Sequence, residues 1–87
     1  MRAFKTKGDV AALVACTIGK YLDVRPGQVV PETHLARDLG IDSLEAVELL
    51  QELEDEFETV FSNAERDSME CISDIIEILW VKAQRRP

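Results

Sequence analysis

The sequence predicts an all-α protein, a small four-helix bundle of three longer helices and one short one. Three observations lead there. Apolar residues recur at helical spacing in three separate stretches. No run alternates with the period of two that a half-buried strand requires. The stretches are parted by segments rich in Pro, Gly, Asn, Ser and Asp, the residues that punctuate a chain. Eighty-seven residues suffice for one domain with a marginal core, so we expect a single domain over 1–87, its first eight residues, "MRAFKTKG", forming a short basic extension.

The elements follow in order. Val10, Leu13, Val14, Ile18, Tyr21 and Leu22 share a helical face and place the first helix from about Asp9 to Leu22. "DVRPGQVVPETH" is a loop, broken by Pro26, Gly27 and Pro31. A turn over about Leu35 to Leu39 stops at Gly40, which tolerates the left-handed conformation such a stop needs. The second helix runs from Ser43 to about Glu58. "SNAERDS" holds a short third helix ending near Met69. Ile72, Ile75, Ile76 and Leu79 mark a fourth, reaching about Ala83, and Lys82, Arg85 and Arg86 suit the negative pole of its dipole.

Composition narrows the function. The net charge of −7 argues against nucleic acid and for basic partners or simple solubility. It is unevenly placed: Asp38 to Glu65 holds ten acids and no Lys or Arg, a charge of −10, and the rest of the chain is +3. A solvated face gains more from mixed signs, so the one-sided choice is intelligible if something basic docks there. No apolar run approaches the length of a membrane span, and the basic start is followed by no secretory core and is too short for a transit peptide. Cys16 and Cys71 are too few and too far apart for a disulfide framework or a metal site, and read as reduced thiols of a cytoplasmic protein. His34, the one histidine, reads as an ordinary exposed loop residue.

"DLGIDSLEAVELL" is the most informative stretch. Asp42 is placed to cap the second helix, with Glu45 reaching back in a capping box. Ser43 then falls on the first helical position with a hydroxyl that capping does not need. Stepping around the helix, Ala46, Leu49, Leu50, Leu53 and Phe57 form the buried stripe. Glu48, Gln51, Glu52 and Asp55 lie opposite, Leu44 points out with them, and Val47 sits on the flank. Apolar Leu44 and Val47 framed by carboxylates look like a docking surface. Ser43 is no nucleophile of the usual kind: no G-x-S-x-G elbow surrounds it and only His34 could serve as its base. A calcium loop counted from Asp38 also fails, having Ser43 where glycine is required and Leu49 where glutamate is required. Ser43 is better read as an acceptor than as an attacker.

"LGIDSLEAVELLQELEDEF" resembles the prosthetic-group region of the acyl carrier protein family, and the similarity extends from about Val10 to Leu79. The resemblance implies an acyl-carrier-like bundle, not an enzyme, in which Ser43, flanked by Asp42 and Leu44, carries 4′-phosphopantetheine through a phosphodiester. The thiol of that arm would hold acyl groups as thioesters, and the bundle would shelter the acyl chain near Leu49, Leu53, Phe57, Phe61, Ile72 and Ile76. Leu44, Glu45, Val47, Glu48 and Asp55 match the positions with which the family docks on basic patches. The implied partners are a phosphopantetheinyl transferase using coenzyme A, and synthases, reductases, dehydratases or acyltransferases of acyl chains. Neither nucleic acid nor a membrane span is implied, and a monomer is expected. Departures from the family pattern are the missing proline of an Ile-Pro pair frequent near Phe61 and Ser62, the polar Gln51, Trp80, and about seven extra residues before the first helix. They leave fatty-acid, polyketide-type and specialised stand-alone carriers open. An acidic helical adaptor without a prosthetic group is the alternative from a different class.

Overall fold

The computed structural model describes residues 4–84. It is an all-helical bundle: α1 (Lys7–Leu22), α2 (Ser43–Phe57), the short α3 (Asn63–Ser68) and α4 (Ile72–Gln84), with a 3-10 turn at Pro26–Gln28 in the long first connection. Helix α1 packs against α4 and α2. Val10, Val14 and Ile18 of α1 meet Leu49, Leu50, Leu53 and Phe57 of α2, and Ile72, Ile75, Ile76 and Leu79 of α4. The connections add Val29, Ile41 and Phe61 to the same core. Each helix therefore buries one stripe, as its apolar spacing requires, and Leu13, Tyr21 and Leu22 lie partly buried at its margin.

Helix α1 begins at Lys7, two residues before the expected start. The Thr6 hydroxyl accepts the Asp9 N–H at 3.2 Å, and the Asp9 carboxylate accepts the Thr6 and Lys5 N–H groups, each at 3.0 Å. Aspartate here plays the part usually taken by Glu or Gln in a capping box. Lys7 and Gly8, assigned to the basic extension, thus belong to the helix, and Lys7 forms an ion pair with Glu77 of α4. Helix α2 ends at Phe57, and Glu58 makes the left-handed cap (φ 53°) in place of the customary glycine. Of the basic residues assigned to the end of α4, Lys82 pairs with Glu65 across to α3 at 3.0 Å. Arg85 and Arg86 lie outside the described residues.

Two arrangements place the start of α2. First, His34 caps the turn that follows it: its Nδ1 accepts the Arg37 N–H at 3.0 Å, and Asp38 accepts the His34 N–H at 2.7 Å. His34 is accordingly half-buried and structural, where an exposed loop residue was expected. Gly40 (φ +66°) then reverses the chain, and Ile41 drops into the core before Asp42. Second, the loop is strapped to the α3–α4 junction. Leu35 N–H donates to the Glu70 carbonyl at 2.9 Å, Ile72 N–H to the Thr33 carbonyl at 3.0 Å, and Ser73 N–H to the Pro31 carbonyl at 2.9 Å. His34 and Cys71 face each other there as an isolated antiparallel bridge.

Candidate functional site

Asp42 adopts an extended conformation and caps α2: its Oδ1 accepts the Glu45 N–H at 2.8 Å, and Glu45 Oε1 accepts the Asp42 N–H at 3.2 Å. Both halves of the expected capping box are present. Ser43 occupies the first helical position, exposed, and no residue among those described hydrogen-bonds its hydroxyl. The first N–H groups of a helix lack intrahelical partners. Asp42 consumes that of Glu45, and the Asp42 carbonyl takes that of Ala46, so those of Ser43 and Leu44 remain directed outward. An open groove of about 230 Å³ includes Ser43 in its lining, together with His34, Leu35, Ala36, Ala46, Met69 and Glu70.

These donors fit a phosphodiester anion attached to Ser43, because free N–H groups and the positive end of the helix dipole both favour negative charge there. Asp42 opposes it with its own charge, which the Glu45 N–H bonded to that carboxylate offsets only in part.

The outer face of α2 is as the periodicity implies. Leu44 is 69% exposed and Val47 43%, while Glu48, Gln51, Glu52 and Asp55 are exposed beside them. Glu45 is half-buried and engaged at the cap. Tyr21, read from sequence only as a member of the α1 stripe, reaches this face. Burial and then the nearby Glu48 carboxylate push its phenol above the ordinary tyrosine range, with Glu45 and Asp42 adding to the shift. Nothing in the spacing of α1 could show this, since it depends on how α1 crosses α2.

Not every acid of the −10 segment faces outward. Glu54 accepts the Phe61 N–H at 2.8 Å and pairs with Arg66 at 3.2 Å, with both side chains mostly buried. Glu65 caps α3 through Ser62 and pairs with Lys82; these bonds hold its carboxyl below the usual carboxylate range. Counting charge along the chain could not separate these joint-forming acids from the outward Glu48, Glu52 and Asp55. The six residues expected around an acyl chain, Leu49, Leu53, Phe57, Phe61, Ile72 and Ile76, are all buried in one core. Among the described residues no cluster of His, Cys, Asp or Glu is arranged to hold a metal, and no helix is long and apolar enough to cross a membrane.

A family model for the phosphopantetheine attachment site matches residues 12–79. The chain belongs to the acyl carrier protein family. It is 32% identical over 73 residues to an acyl carrier protein of Thermosynechococcus vestitus, covering 84% of this chain and 90% of that one. The acyl carrier protein of Cyanidium caldarium is 30% identical over 81 residues, covering 93% and 94% of the two chains. That of Phaeodactylum tricornutum is 36% identical over 62 residues, covering 71% and 82%. The prosthetic group of this carrier is 4′-phosphopantetheine, and its function is that of a carrier in acyl-chain biosynthesis.

Proposed function

We propose that Ser43 is the attachment residue and that the chain carries acyl intermediates of fatty-acid or related biosynthesis. The single observation behind this is the hydroxyl at the first position of α2, exposed and left over after Asp42 and Glu45 have closed the cap. When bound, the 4′-phosphopantetheine arm supplies a thiol that holds the acyl group as a thioester. The chain's own residues position and present it. Asp42 and Glu45 fix the helix start, and the Ser43 and Leu44 N–H groups would be available to hold the phosphodiester. Leu44 and Val47 offer apolar contact to a partner, and Glu45, Glu48 and Asp55 draw its basic rim.

On this reading the protein does no catalysis itself. Its partners are the transferase that loads the arm and the synthases, reductases, dehydratases or acyltransferases that act on the cargo. The core around Leu49, Leu53, Phe57, Phe61, Ile72 and Ile76 shelters the acyl chain, each buried methylene contributing up to about 0.8 kcal/mol. The chain acts as one monomeric carrier domain in the cytoplasm, a placement supported by the unpaired Cys16 and Cys71.

The test is intact-mass measurement after treatment with coenzyme A and a broad-specificity phosphopantetheinyl transferase. The wild-type chain should gain one phosphopantetheinyl group, and a folded Ser43→Ala variant should gain none. Modification persisting in that variant would falsify the assignment, and an unmodified wild-type chain would favour the adaptor.

A further inference from the structure

The N-terminal segment does more than begin a helix. The Asp9 carboxylate holds the Lys5 and Thr6 N–H groups, which turns the preceding residue back toward the bundle. Phe4 consequently lies half-buried against the core, its ring stacked on that of Phe57 with centroids 5.1 Å apart and planes inclined by 24°. Beside the two rings is a cavity of only about 10 Å³, lined also by Thr59, Leu79, Lys82 and Ala83. Phe57 is the last residue of α2, about 21 Å along the helix from Ser43 at 1.5 Å per residue. Leu49, Leu53 and Phe57 mark successive turns between the two ends.

We propose that Phe4 is the end-stop of the acyl-chain shelter and sets the longest chain the core accepts, a role that rests on the reading that acyl chains lie among these α2 residues. A chain entering from the Ser43 end meets the Phe57–Phe4 pair last. Phe57 is buried and its backbone is held in the final turn of α2. Phe4 stands on a segment outside the helices, tied by the Asp9 carboxylate, and is the part whose removal opens space. Removing its ring widens this small pocket along its apolar wall of Phe57, Leu79 and Ala83, giving an apolar chain further surface to cover. Interiors are packed closely enough that added methylenes are felt, so a stop at this depth selects by length.

The experiment measures melting temperatures of the holo form and of straight saturated acyl forms lengthened in two-carbon steps, for wild type, Phe4→Leu and Phe4→Ala. In wild type the melting temperature should rise with chain length and then level off. Phe4→Ala should lower the melting temperature of the holo form yet shift the levelling point to a chain longer by at least one step. Phe4→Leu, which retains apolar cover, should fall between the two, and it carries the comparison should the alanine variant fold poorly. A plug with a merely structural role lowers every form alike. An unmoved levelling point therefore overturns the end-stop and leaves the shelter standing. A melting temperature independent of chain length in all three proteins overturns the shelter and the end-stop together.

Discussion

Replacing Asp42 by alanine removes the carboxylate that accepts the Glu45 N–H at 2.8 Å, and leaves the first turn of α2 without its acceptor. Loss of such a cap costs about 1 kcal/mol, which for a domain of this size lowers the melting temperature by roughly 4–8 °C. Ser43→Ala should shift it by about a degree at most, because no described residue bonds that hydroxyl and alanine favours a helix interior. Thermal circular dichroism on the two variants checks the contrast, and equal losses would make the Ser43 hydroxyl structural. This division of labour was readable in four letters, Asp42 to Glu45, because capping is local. Tyr21 was not readable in the same way. It is the sole tyrosine, so ultraviolet titration reports it cleanly, and its ionisation should lie above the ordinary tyrosine value. The fold favours the neutral phenol. The stability this contributes is present below the ordinary value and is lost as pH rises through the elevated one. Glu48→Gln should bring the midpoint partway down, with burial, the larger cause, maintaining the rest.

Among the elements, α2 carries the clearest expectation. Glu48→Lys should slow loading by the phosphopantetheinyl transferase several-fold at low salt, and Glu32→Lys in the first loop should do so far less, though both change net charge equally. Such charges act mainly on encounter, so raised salt should close the gap between the variants. Equal slowing would place the docking face elsewhere. Glu77, exposed and acidic, is a poor control because it pairs with Lys7. The helices themselves were legible from apolar periodicity to within one or two residues at each end. The start of α1 was missed because Asp9 closes the capping box where glutamate or glutamine is usual. The 3-10 turn after Asp23 left no periodic signal, being three residues long.

Across the molecule, electrostatics divides into a repulsive face and a few engaged carboxylates. Screening the one-sided acidic segment should raise the melting temperature as salt increases from a few millimolar to about half molar. The Glu54–Arg66 pair, mostly buried, is screened less and resists the change. Acid acts in the opposite direction. Backbone N–H groups of Cys71 and then Glu70 hold the Asp74 carboxyl low, and those of His34 and Ser62 do the same for Asp38 and Glu65. These groups contribute stability above the ordinary carboxylate range that is lost as pH falls through their depressed values, so melting temperatures should drop steeply below about pH 4. The strap between the first loop and the α3–α4 junction was invisible in the sequence. Its hydrogen bonds join main-chain groups about forty residues apart, and main-chain pairing leaves no side-chain pattern to read.

That strap has a kinetic consequence for α3. The helix has six residues and no buried side chain, yet both its flanks are fastened: Phe61 to Glu54 on one side, and Glu70 and Ile72 to the first loop on the other. Such a segment resembles a drawbridge pinned at its two abutments and stayed at mid-span by the side-chain pairs Glu65–Lys82 and Arg66–Glu54, able to lose its own main-chain hydrogen bonds without dragging the core. Amide exchange should therefore be fast at Arg66 to Met69, through local opening. It should be markedly slower at Phe61 and Ile72, whose N–H groups belong to the abutments. A uniform rate from Phe61 to Ile72 would mean that the two ends open together with the span.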